Sequence, residues 1–155
     1  MGMDVHGIEP DDTVDKYFAN NAWWWHPLAW YLCTVAPHIT KQCEDWHCHE
    51  GFGLEASLAK ELALAVRHDL VSGGTAAYAA AYQAWKDALP DEQCDICGGT
   101  GKHQPVPDVG PGAEHCNGCD GKGTHTTWTR FYFFDVDNVT RFAAFLEPCG
   151  VFTIL

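Results

Sequence analysis

At 155 residues and 17.1 kDa the chain has the length of one compact domain with at most a small appended module. Its 46% hydrophobic and 13% aromatic content, against 19% charged residues, excludes an intrinsically disordered chain. Nine Lys and Arg against 21 Asp and Glu leave a formal charge of −12, which repels phosphate backbones; protonating all nine histidines would only raise it to −3, so nonspecific nucleic-acid binding is excluded as well.

The lead from Met1 to Asp12 is acidic and lacks the basic and apolar regions of a secretory signal. His6 stands where a myristoylation signal needs Ser or Thr, and the end from Phe152 to Leu155 has no cysteine to prenylate. No run approaches the roughly 18 consecutive apolar residues of a membrane span. These features point to a cytoplasmic chain with no membrane partner, whose eight cysteines serve as metal ligands and buried thiols rather than as a disulfide framework.

In chain order, Asp11-Asp12-Thr13 caps a short helix through Val14, Tyr17 and Phe18, and Asn20-Asn21 offers a break and a new cap. A second helix follows, with Pro27 in its first turn and Leu28, Tyr31, Leu32 and Val35 on one face, and Pro37 stops it. Thr40 to Gly53 reads as a loop. From Leu54 the spacing of Leu58, Leu62, Val66 and Leu70 predicts the strongest helix, ended by Gly73-Gly74. Thr75 caps the next, in which Tyr78, Tyr82, Trp85 and Leu89 recur up to Pro90, so that the two form an antiparallel hairpin.

Cys, Gly and Pro dominate from Asp91 to about Thr126, marking an inserted module. Beyond it, Trp128 to Phe134 is aromatic and β-prone, Asp137 or Asn138 caps a helix through Val139, Phe142 and Leu146, and an apolar run follows Gly150. The expected architecture is α+β: a helical body over 12–90, a four-cysteine zinc-knuckle β-hairpin over 91–127, and a strand-helix-strand segment over 128–155 packing back on the body.

Cys94-Asp-Ile-Cys97 and Cys116-Asn-Gly-Cys119, eighteen residues apart, have the spacing of a structural zinc site. Two residues between cysteines let both thiolates of a tight knuckle face one ion, and a second knuckle completes the tetrahedron. Each pair continues as C-x-G-x-G, to Gly101 and to Gly123, with glycines free to take positive φ while their amides point at sulfur. One structural zinc on Cys94, Cys97, Cys116 and Cys119 is expected. Four thiolates leave no open position for substrate, so no catalysis is expected at the metal.

The doublet resembles the cysteine-rich zinc domain of DnaJ-type chaperones over Cys94 to Gly123. It has two repeats where that domain has four, which implies a single zinc in a small β-hairpin. The His-Pro-Asp signature of the J domain is not present, since Leu28 follows His26-Pro27. A single-zinc doublet is also similar to the module of the anti-TRAP proteins, and this likeness implies binding and blocking of another protein. Outside the doublet, Trp23 to Leu28 and Asn138 to Leu146 are similar in flavour to segments of small actinobacterial and phage proteins, a likeness that implies no chemistry.

Cys43 to Glu50 packs seven candidate ligands into eight positions, with His26 and His38 upstream. It reads either as a second metal site or as a polar loop whose histidines cap helices and satisfy carbonyls. Hydrolytic templates fail here: His49-Glu50 has Gly53 where a second histidine belongs, and Cys94 follows Gln93 rather than Pro. Gly51-Phe-Gly53-Leu-Glu-Ala56 imitates a dinucleotide fingerprint but lacks a preceding buried strand, which favours a flexible helix entry. Trp23, Trp24 and Trp25 are about 100° apart on a helix, so at least one is exposed. Tyr78, Tyr82 and Trp85 read as hairpin core, and Cys33 and Cys149 as small buried hydrophobes.

The function expected is a zinc-stabilised adaptor or inhibitor that binds another protein. The alternative is a small-molecule-binding protein or metal-dependent enzyme using the loop from His47 to Gly53. In either case Trp24, Trp25, His26, His47, His49, Glu50, Gly51 and Gly53 would carry recognition, because the eighteen-residue stretch between the knuckles holds only Lys102 as a permanent cation and no aromatic besides imidazoles. Convergence of the loop histidines with Trp24 or Trp25 and His26 in one pocket would favour the alternative.

Overall fold

The computed structural model describes residues 2–8, 16–102 and 115–155. Its contacts divide the chain into two units, residues 1–84 with 132–155, and 85–131. The first unit is α+β.

Its sheet has the order β2-β1-β6-β3, antiparallel throughout: β1 (Gly2–Ile8), β2 (Tyr17–Asn21), β3 (Gly53–Leu54) and β6 (Val151–Ile154). The register sets Val5 opposite both Phe18 and Ile154, and Phe152 opposite Leu54. Since successive side chains alternate faces, Met3, Val5, Phe18, Leu54, Phe152 and Ile154 form one buried face. Against it lie α1 (Ala22–Val35), α3 (Ala56–Ser72) and α5 (Val136–Leu146), contributing Trp25, Leu28 and Leu32, then Leu62 and Val66, then Val139, Phe142 and Leu146 to one continuous core.

Two of these strands correct the sequence reading. The expected helix through Tyr17 and Phe18 is β2, a strand pairing with β1 in a lead to which no structure was assigned; the cap at Asp11 to Thr13 lies outside the described residues. Asn21 does cap α1, accepting from the Trp24 amide at 3.2 Å, but it starts the helix early enough that Pro27 falls inside it and not in the first turn. A proline there cannot donate to the carbonyl four residues back. That carbonyl, Trp23 O, instead accepts the amide of Phe133 at 2.8 Å, so the interruption becomes a docking point for the segment that enters α5.

The helix α3 ends as expected, on Gly73 at φ +85°. The predicted hairpin with α4 (Gly74–Asp87) does not form: α3 packs on α5 and β6, and makes no comparable packing with α4. Thr75 also departs from capping. Its hydroxyl lies 3.2 Å from the Asp69 carboxylate and 2.7 Å from Tyr31 Oη, which itself donates to Asp69 at 2.8 Å, tying α1 to the α3–α4 junction. Tyr78 and Tyr82 stack beside Phe134, as core, whereas Trp85 is half exposed. The expected strand at Trp128 to Phe134 is a 3-10 turn over Trp128–Phe131 followed by irregular chain, and Asp135, rather than Asp137 or Asn138, caps α5. Cys149 is buried, but Cys33 is exposed.

The loop after α2 (Pro37–Thr40) is pinned by Trp46, whose indole N–H donates to Thr40 O at 3.0 Å while its own carbonyl accepts from Trp25 Nε1 at 2.6 Å. No helix among the described residues is long and apolar enough to cross a membrane.

Candidate metal centre

The second unit is built around cysteine. A two-stranded ladder, β4 (Glu92–Gln93) with β5 (Thr124–His125), brings together the ends of two knuckles related by a local two-fold in their hydrogen bonds. In the first, Gly99 N donates to Cys94 O and Thr100 N to Cys97 O; in the second, Gly121 N donates to Cys116 O and Lys122 N to Cys119 O. Each knuckle then closes on the other, through Cys94 N to Gly123 O at 2.9 Å and Cys116 N to Gly101 O at 3.0 Å.

The four sulfurs converge. Cys94 Sγ lies 3.8 Å from Cys116 Sγ and Cys97 Sγ 3.7 Å from Cys119 Sγ, all four within 4.8 Å of one another, and all four side chains are buried. A tetrahedral ion with metal–sulfur bonds of about 2.3 Å sets its sulfurs about 3.8 Å apart. Backbone amides complete the surroundings: Gly101 N donates to Cys97 Sγ at 3.3 Å and Gly123 N to Cys119 Sγ at 3.2 Å, the bonds that stabilise thiolates. Burial raises the Cys97 thiol, but the Gly101 amide and the Cys94 and Cys119 sulfurs outweigh it and bring it down to about 6. Burial and the three other sulfurs push Cys116 up to about 11. The set thus offers one thiol that ionises readily and one that holds its proton until a cation displaces it. Four buried cysteines in this geometry can hold a metal ion such as zinc.

The remaining candidates separate. Trp25 is fully buried in the core, Trp24 is partly buried against Phe133, and Trp23 is exposed. His26 and His47 meet, Nδ1 to Nδ1 at 2.6 Å, beside the rings of Trp30 and Tyr132. His49 and Glu50 are exposed, and of the two His49 lies near enough to His26 to lower its basicity. Gly51 and Gly53 belong to the sheet edge: Gly51, at φ +83°, donates to Ile154 O at 2.9 Å, and a Cβ on Gly53 would run into the Phe152 carbonyl. The helix entry they form is therefore fixed by strand pairing rather than flexible.

Sequence reasoning passed over one surface. Ile96 lies inside the first knuckle, where Cys94 and Cys97 turn in to the sulfur cluster, and its own side chain is 63% exposed. With Gly118, Trp128 and Phe131 it lines a groove of about 420 Å³, in which Trp128 is 66% exposed. The signal was available, since an apolar residue between two ligands has no interior to enter. The insertion between the knuckles lies, over 103–114, outside the described residues. Compared with protein-family models, with curated proteins and with solved structures, the chain has no match.

Proposed function

We propose that the chain is a zinc-stabilised, cytosolic protein-interaction protein, an adaptor or inhibitor, whose zinc is structural and whose partner is a protein presenting an apolar segment. The observation that carries this is the groove of Ile96, Trp128 and Phe131 on the unit that the four cysteines hold together. Zinc suits the donors: a borderline-soft ion without geometric demands of its own takes four thiolates tetrahedrally, and four thiolates leave it no open position for substrate. Exposed large aliphatic and aromatic side chains rimmed by polar groups are what interface anchors look like, and the net charge of −12 argues against a nucleic-acid partner. The alternative based on the loop from His47 to Gly53 is disfavoured by the commitment of both its glycines to the sheet.

Photo-crosslinking in the native host tests the proposal. A crosslinker at position 96 or 128 is expected to give a discrete protein adduct that disappears in the Cys97→Ser background. One at Val71, which is 89% exposed on α3, gives none. Adducts of equal yield from all three positions, or none from 96 and 128, would overturn it.

A further inference from the structure

Away from the cysteines, two imidazoles are aimed at each other. His26, on α1, and His47, in the loop between α2 and β3, bring their Nδ1 atoms to 2.6 Å with ring centroids 4.7 Å apart. A neutral imidazole has one protonated and one bare nitrogen. At this distance one Nδ1–H donates to the bare Nδ1 of the other ring, and with that proton displaced the same two nitrogens can turn onto one cation.

The surroundings suit a cation. Burial lowers the basicity of both rings, and the neighbouring His47 and then His49 lower that of His26 further, which lets a metal ion compete with protons for their nitrogens. Asp45 opposes this shift at both rings, placing a negative charge where it attracts a positive one. Its carboxylate is itself held, accepting from His47 N at 2.6 Å and from the Cys48 thiol at 2.9 Å. The backbone is rigid on both sides: His47 follows Trp46, anchored to Trp25 and Thr40, and His26 sits in a capped helix. The side chains are not, since His47 is exposed and His26 half-buried.

We propose that His26 and His47 form a second metal site, taking one first-row divalent ion of the imidazole-preferring class through their two Nδ1 atoms, with Asp45 balancing its charge and water completing its shell. Metal–nitrogen bonds of about 2.0–2.1 Å put two such nitrogens about 2.9 Å apart in a square-planar and about 3.4 Å apart in a tetrahedral shell. The rings therefore open by less than about 1 Å, a small rotation that the exposed His47 can make. With two protein ligands against four, this ion binds far more weakly than the zinc of the cysteine centre and is lost on desalting.

Nickel(II) alone, titrated calorimetrically into the zinc-loaded chain, tests the site. One saturable equivalent of micromolar affinity is expected, with zinc content unchanged and the nitrogen-15 resonances of His26 and His47 shifting together. His26→Ala and His47→Ala each weaken binding at least about tenfold, while His38→Ala and His68→Ala leave it within about twofold. Affinity falls on acidification, as protons compete for the same nitrogens. No saturable equivalent, or equal losses in the control variants, would overturn the proposal. Since zinc content and position-96 crosslinking are read separately, failure here leaves the interaction reading standing, and failure there leaves this one.

Discussion

Gly101 and Gly123 occupy equivalent places in the two knuckles, and each does two things a side chain would prevent. At φ +72° and +79° they adopt the left-handed backbone that turns their amides onto Cys97 and Cys119. They also let the knuckles touch, because a Cβ on Gly101 would strike the Gly121 carbonyl and one on Gly123 the Gly99 carbonyl. Gly101→Ala therefore combines backbone strain of roughly 1–3 kcal/mol with a forced separation of the knuckles. Zinc affinity, read by competition with a chromophoric chelator, is expected to fall by more than about tenfold. The matching pair Gly98 and Asp120 supplies the contrast. Asp120 already holds φ +51°, and nothing lies within 4 Å of a Cβ placed on Gly98. Gly98→Asp should leave zinc affinity within about threefold of the parent, a difference below 1 kcal/mol; a loss as large as that of Gly101→Ala would mean that strain, and not contact between the knuckles, governs the site.

At the scale of elements, what was legible in the sequence had a local cause and what was not had a remote one. The apolar spacing of α3, its glycine stop, the apolar stripe of α5 and the two knuckles are each written within about twenty residues, and each is where the pattern put it. The strand β1 is different: Gly-Met-Asp-Val-His-Gly-Ile carries only Met3 and Val5 inward, and its pairing comes from β2 on one side and from β6, at the far end of the chain, on the other. Trp128 to Phe134 erred the opposite way, since β propensity counts for little without a neighbouring strand to bond. The meeting of His26 with His47 was equally invisible, because it depends on Trp46 folding its loop back to Trp25. Gly53 tests how much β3 matters. Gly53→Ala places a methyl against the Phe152 carbonyl, where neither backbone can yield without parting β3 from β6. A destabilisation on the order of 3 kcal/mol is expected, visible as a melting temperature lowered by several degrees; a drop under about 1 °C would show that β3 is dispensable to the sheet.

For the whole molecule, the two units are held together internally by different means. Residues 1–84 with 132–155 share one apolar core running from Met3 to Ile154, which includes every buried hydrophobic residue of α1, α3 and α5. In 85–131 the buried hydrophobic residues, among those described, are the four cysteines themselves. A unit with so little apolar burial cannot offset its conformational entropy without a metal, and structural zinc supplies on the order of 10 kcal/mol in comparably small domains. Cys97→Ser, or exhaustive chelation, should therefore unfold 85–131 and leave the first unit standing. Far-ultraviolet circular dichroism is expected to keep most of its helical signal, because α1, α3 and α5 rest on a core that contains none of the metal ligands. Hydrogen exchange should show protection lost at Cys94, Gly101, Cys116 and Gly123 and retained at Val5, Leu62, Val66 and Phe142. Metal analysis of the desalted parent should return one zinc per chain, and the variant none. If protection at Leu62 and Phe142 disappears together with that of the knuckles, the cysteine centre stabilises the entire chain, and the independence of the larger core is refuted.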